Sequence, residues 1–348
     1  MMASGFLRGF ARLFVIGGLL VPAVVRAETA YFVSKTTGGL YSFDTANQAA
    51  GITTLSGTGT FNSPTSLALG PDGNLYIGDA TDGGRIARFT MSNSTVSTVA
   101  SLVTGTAAYN GPVSPASMTF TPGGKLLVGR NPQTAFSGYP SGAVVEIVDW
   151  SGGSATVQNY TTGTALNYQT GLAVAADSTL YASNTVYNIL TTPAALEGNV
   201  VTFNSSGAYQ GVTATEGSGG SPGIAGPAGI AVVGTSLYTA STMNGYVYKT
   251  DLTNPNPATN TTIFGATGGD YLGPLSAISD GGLLVGSVSG VPGLIYQFNS
   301  TGTIVGTFGA AEYGQIGGIA VVPEPSAVVT ALIGLAGAAG LLRRRRAA

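Results

Sequence analysis

FNSPTSLALGPDGNLYIGDATDGGRIARF, residues 61–89, holds three short apolar segments separated by two polar turns. In SLAL (66–69) and NLYIGD (74–79), large apolar residues alternate with small or polar ones, the period-two pattern of strands. Between them, Asp72-Gly73 supplies the positive φ that a tight hairpin demands. A second Gly-rich turn leads into GRIARF (84–89), which reads as a third strand.

The same unit recurs along the chain. Its first two strands appear again as SMTFTPGGKLLVGR (117–130), GLAVAADSTLYASN (171–184), GIAVVGTSLYTAS (229–241) and LSAISDGGLLVGS (275–287). A Gly-led third strand follows each pair: GAVVEIV (142–148), GNVVTF (198–203), GYVYKT (245–250) and GLIYQF (293–298). More polar fourth strands are placed near 95–103, 155–161, 209–214, 260–264 and 303–308. A repeat of about 50 residues with four antiparallel strands predicts the blade of a β-propeller.

The ends fix the blade number. GGIAVV (317–322) reads as a first strand without partners. AYFVSK (30–35), GGLYSFD (38–44) and GITTL (51–55) read as second, third and fourth strands without a first. Joined, they make a sixth blade and leave no half-sheet open to aggregation. The prediction is an all-β, six-bladed propeller whose last blade is closed by both termini. Ala68, Ala173, Ala231 and Ala277 recur in first strands, where crowding at the central axis is expected to favour small side chains.

The unit at 61–89 resembles the NHL-repeat propeller through Pro64, Ala68, Asp72-Gly73, Tyr76, Asp79, Arg85-Ile86 and Phe89. Residues 222–250 keep Pro227, Gly229 to Val232 and Leu237-Tyr238. The His that the family carries before Arg85 is absent, with Gly83-Gly84 in its place. The resemblance implies a fold, and many functions use that fold.

Composition then bounds the chemistry. The 348 residues include no His and no Cys, which excludes a Ser-His-Asp triad, a thiol nucleophile, a disulfide and a Cys/His zinc site. Gly is 54 of the 348, without a collagen period, and charged residues are only 8%.

Both ends carry addresses. LFVIGGLLVPAVV (13–25) follows a basic start and precedes Arg26-Ala27, the pattern of a secretory signal peptide over residues 1–27. At the other end Pro323-Glu324-Pro325 precedes an uncharged run from Ala327 to Leu342, and Arg343, Arg344, Arg345 and Arg346 follow. As a helix this run reaches about 24 Å, less than a bilayer core, so transient membrane association is expected. The segment 323–348 resembles the PEP-CTERM sorting tail. That resemblance implies a Gram-negative bacterium that secretes extracellular polysaccharide, processing by an exosortase-type protease, and delivery to the cell surface, outer membrane or extracellular matrix.

The body between the addresses, residues 28–322, holds 14 acidic and 6 basic residues, a formal charge of −8. An acidic body disfavours nucleic acid as a partner.

The loops after the second strands share one face of a propeller with the loops that join blades. That face is expected to carry Asp79, Asp82, Asn131, Asn184 and Asn244, with Asp270, Tyr271, Glu312 and Tyr313 from blade-joining loops. Lys35, Arg130, Ser289, Asn62, Asn110 and Tyr168 fall on the same rim.

Calcium or another divalent cation would draw on Asp79, Asp82 and Asp270 with nearby Asn side chains. DATDGG lacks the length and acid density of a calcium loop, so Asp79 and Asp82 are expected to cap their own turns and no cofactor is expected. Rim tyrosines suit sugar faces, and Asn and Asp suit sugar hydroxyls. The expected role is non-catalytic, either binding of extracellular polysaccharide or of a surface protein, or structural. The competing reading is a metal-dependent hydrolase or lactonase of the gluconolactonase-like propeller type.

Overall fold

The computed structural model describes residues 28–81, 84–102, 113–132, 143–150, 155–162, 166–188, 195–215, 224–257, 259–288 and 293–322. The signal peptide and the sorting tail lie outside the described residues, as do Asp82, Asn110 and Ser289.

Six four-stranded antiparallel sheets form the six blades. Blade 1 runs in chain order through Pro64–Leu69, Leu75–Asp79, Arg85–Thr90 and Thr95–Ser101. Blades 2 to 5 repeat this order, and their first strands are Val113–Phe120, Leu172–Val174, Pro227–Val233 and Leu272–Ala277. Blade 6 takes its first strand, Ile316–Val322, from the C-terminal end of the body. Its other three, Thr29–Ser34, Leu40–Asp44 and Ile52–Ser56, come from the N-terminal end. Ala30 faces Val321 and Phe32 faces Ile319 across the closure. The closure and the blade number are those the half-repeats at the ends predict.

The turn between first and second strands is built alike in several blades. In blade 1 the Gly70 N–H donates to the Asn74 carbonyl at 2.8 Å and Gly73 sits at φ 74°. Gly124 and Gly281 hold the same place in blades 2 and 5 at φ 81° and 84°, whereas blade 3 puts Ser178 there at φ 68°.

Period-two alternation sends each strand's side chains to two different neighbours. Leu67 packs in a cluster with Tyr31, Val33 and Ala320 of blade 6, while Ala68 packs with Met118, Val128 and Val145 of blade 2. Six such clusters fill the six spaces between blades. The alanines expected at the axis lie in or against these interblade cores instead: Ala68, Ala173, Ala231 and Ala277. At the axis itself the smallest residue is glycine. A Cβ on Gly171 would stand 2.1 Å from the Ala228 carbonyl oxygen, and one on Gly317 would stand 2.1 Å from that of Pro64, each in the next blade. At these two positions even a methyl group is too large.

Candidate functional site

The first strands surround a central cavity of about 260 Å³. Its wall is layered in register. Leu67, Met118, Leu172, Ile230, Leu275 and Ile319, one from each blade at the same strand position, form an apolar ring. The next residues outward are Ser66, Ser117, Gly171, Gly229, Pro274 and Gly318, followed by Thr65, Ala116, Thr170, Ala228, Gly273 and Gly317. Ser114 and Ile316, near the starts of two first strands, and Lys35, Tyr168, Thr242, Val288 and Gln315, from loops after second strands and between blades, complete the mouth. No residue beyond the apolar ring lines the wall, so the cavity is a cup open at one end. Among the described residues the wall holds no Asp or Glu, and Lys35 is its single cation.

A proline three residues before the ring position, as in Pro64, Pro115 and Pro227, marks a bulge in the first strand. A bulge leaves its backbone groups out of the ladder. Neighbouring blades use the carbonyls so released. Thr65 Oγ1 and Ser66 Oγ donate to the Pro115 carbonyl at 3.0 and 2.5 Å. Thr170 Oγ1 and Thr185 Oγ1 donate to that of Pro227 at 3.0 and 2.9 Å.

The polar residue ending each second strand has a different task. Asp79 is fully buried and accepts from the Asn62 and Ser63 N–H groups at 3.2 and 2.9 Å, and from Thr81 Oγ1 at 2.6 Å. Arg85 completes the cage, with Nε and Nη2 at 3.1 and 3.0 Å. Burial acts to raise the carboxyl pKa, but the bonds from Thr81, Ser63 and Arg85 outweigh it and hold Asp79 below the ordinary value.

The equivalent residues act alike. Asn184 Oδ1 accepts from the Asn167 N–H at 2.7 Å, Ser241 Oγ donates to the Ala225 carbonyl at 2.5 Å, and Ser34 Oγ donates to the Tyr313 carbonyl at 2.5 Å. Each latches the loop that enters its own blade. Ser287, at the same position in blade 5, has a buried hydroxyl without a hydrogen-bond partner.

None of the described candidates Asp79, Asn131, Asn184, Asn244, Asp270, Tyr271, Glu312 and Tyr313 lines the cup. Asn131 is buried and clasps Gln169 of blade 3 through both its backbone groups, accepting from the N–H at 2.9 Å. Asn244 donates to the Tyr248 hydroxyl at 2.7 Å within its own hairpin. Asp270 accepts from the Tyr296 hydroxyl, whose pKa is pushed up to about 12 by burial and by this carboxylate. Tyr313 packs edge-on against Phe32 and Tyr41. Tyr271 and Glu312 are exposed near the mouth. Among the described residues no three Asp or Glu side chains converge as a metal site.

From the wider rim set, Lys35 and Tyr168 do line the cup. Lys35, Thr242 and Val288 each stand one residue beyond the latch position, where the chain alternation turns them inward. Tyr168 keeps 40% of its surface open while burial raises its phenol pKa, as befits a side chain seated half in the mouth.

These features define a six-bladed β-propeller with a central cup on the face that carries the blade-joining loops. The family model described as the PEP-CTERM protein-sorting motif matches residues 321–346, so the chain carries that motif and is an exported protein directed to exosortase-type processing at the cell envelope. No curated protein matches the sequence. In fold, the chain is similar to a chain of the crystal structure of a nidogen/laminin complex, with TM-score 0.62 and 11% identity over 85% of this chain and 98% of that one. It is also similar to a protein of unknown function from Bacteroides caccae, with TM-score 0.56 and 12% identity over 86% of this chain and 100% of that one.

Proposed function

We propose that the protein is a surface or extracellular-matrix propeller that acts by binding, and that its ligand is an extracellular polysaccharide held in the central cup. The observation that carries this reading is the make-up of the wall among the described residues: hydroxyls, open backbone at the glycines, the Tyr168 ring and one cation, over an apolar floor, with no carboxylate. Such a surface offers an aromatic face and C–H contacts to a sugar ring, with hydrogen-bonding groups for its hydroxyls. Nearby, Tyr271 and Met243 are 47% and 42% exposed, adding apolar surface outside the cup.

A metal-dependent hydrolase would need converging acids at this mouth. Asp79 is sealed under the blade 1 entry loop, Asp270 is engaged by Tyr296, and Glu312 lies outside the wall. The test is a glycan array, followed by calorimetry on each hit with the wild-type chain and Tyr168→Ala. Binding that Tyr168→Ala abolishes is the expected outcome. A chain that retains no glycan, or one whose glycan binding ignores Tyr168, would show that the cup is not a sugar site.

A further inference from the structure

We propose that the cup takes a single chain-terminal sugar residue bearing a carboxylate, a uronic acid end group, rather than an internal stretch of polymer. This rests on the glycan-binding reading and specifies its ligand. The shape of the cup sets the end-group requirement. First strands wall it on every side and the six-membered apolar ring ends it, so a polymer can enter the cup but has no second exit. Its volume of about 260 Å³ is at the small end for a ligand site and suits one ring-sized group.

Charge sets the second requirement. The body carries a formal charge of −8, yet among the described residues no acidic side chain reaches the wall, and Lys35 alone brings a charge to it. The ion pairs among the described residues are Arg85 with Asp79 and Lys125 with Glu146, which leaves the Lys35 ammonium without one. The Lys35 N–H donates to the Gln315 carbonyl at 2.8 Å, so these two loops meet at one side of the mouth. Tyr168 enters from blade 3, half-way round the ring from blade 6. A sugar seated between them would set its carboxylate on the Lys35 and Gln315 side and a ring face on Tyr168.

The hydroxyls add direction. Thr65 and Thr170 commit their protons to the Pro115 and Pro227 carbonyls, so their oxygens meet a ligand as acceptors. Acceptors of this kind match the hydroxyl donors of a sugar.

The experiment is calorimetry on the full chain with methyl β-glucuronide, methyl β-glucoside, and a glucuronate-terminated oligosaccharide before and after removal of its terminal residue. The glucuronide should bind about ten-fold more tightly than the glucoside, a preference that Lys35→Gln removes and Lys35→Arg retains. Removing the terminal glucuronate should abolish binding of the oligosaccharide. Equal affinity for glucuronide and glucoside, an unchanged preference in Lys35→Gln, or undiminished binding of the trimmed oligosaccharide would each overturn the proposal. If neutral glycans bind through Tyr168 with no preference for the acid, the end-group proposal fails and the glycan-binding reading stands. If no glycan of either kind binds, both fail. Lys35 is an exposed residue, so neither variant endangers folding.

Discussion

Thr29 and Val322 face each other across the antiparallel pair that closes blade 6. From that pair the two strands run toward the mouth, where Ser34 faces Ile316 and where Lys35, Gln315 and Ile316 line the cup. The body therefore receives its chain and releases it toward the sorting tail on the face opposite the mouth. This placement predicts that a propeller held at the envelope through its tail presents its cup outward.

The chain has no Cys, so one introduced thiol reports one position. Ala176 lies exposed in a turn between first and second strands, on the face of the termini, and Tyr271 lies exposed by the mouth. With the full chain anchored in vesicles by its tail, a fluorophore on Ala176→Cys should be quenched by nitroxide lipids more strongly than one on Tyr271→Cys. Equal quenching, or the reverse order, would mean that the mouth does not point away from the envelope.

The Asp79 cage predicts an acid-sensitive blade. The native carboxyl sits below its ordinary pKa, so its contribution is complete above the unfolded value of about 4 and is lost as pH falls through the lower native value. Asp79→Ala should cost about 3 kcal/mol at neutral pH, because it strands the loop N–H groups and the Arg85 guanidinium. In urea melts across pH 2 to 7 (about the range over which a carboxylate titrates), the wild type should lose stability at the acid end, and Asp79→Ala should show a shallower slope. A parallel slope would mean that Asp79 does not govern the acid limb.

How far the sequence reached is clearest at this same residue. Strand order, turns and the two-ended closure were legible because each rests on local signals: alternation, Asp-Gly pairs and complementary half-repeats. Ser34 and Ser241 carry no such signal, but Asp79 and Asn184 were equally legible as polar residues on a loop-bearing face. Which neighbour each would meet was not. The latch bonds join Asp79 to Asn62 and Asn184 to Asn167 at a separation of 17 residues and Ser241 to Ala225 at 16, a repeat-spaced signal visible only once the bonds are known. The cup is read from the next residue along, at Lys35, Thr242 and Val288, because alternation reverses the side chain. The bulges at Pro64, Pro115 and Pro227 also shift the first-strand register, which strict alternation does not anticipate.

Close approach at the axis gives a stability prediction that does not depend on any ligand. A Cβ on Gly229 would stand 2.4 Å from the Gly273 carbonyl oxygen and 2.5 Å from the Leu275 nitrogen, both backbone atoms of blade 5. Backbone in a closed ring has little room to retreat, so Gly229→Ala should cost about 3 kcal/mol by overpacking. Gly57→Ala is the control, since nothing lies within 4 Å of its Cβ. Thermal melts that place the two variants together would mean that the blades can spread at the axis.

Ser66 and Ser117 occupy the same position in blades 1 and 2, yet should respond to the same substitution with opposite signs. Ser66 Oγ donates across the blade boundary to the Pro115 carbonyl, which the bulge leaves free. The corresponding acceptor for Ser117 is the Gln169 carbonyl of blade 3, and Asn131 Nδ2 already donates to it. Ser117 Oγ makes no bond to that carbonyl and is buried against Gly129 with no hydrogen-bond partner. Ser66→Ala should destabilise by about 1 kcal/mol, the net worth of a buried hydrogen bond. Ser117→Ala should stabilise by about the same amount, because it removes a desolvated hydroxyl that bonds to nothing. Urea midpoints for the two variants and for Asn131→Ala with Ser117 intact would test the cause. If Asn131 holds the Gln169 carbonyl where Ser117 does not reach it, then Ser117→Ala should turn from stabilising to destabilising in the Asn131→Ala background, where the released carbonyl can turn to the serine. A Ser117→Ala effect of the same sign in both backgrounds would mean that the two side chains do not compete for that carbonyl.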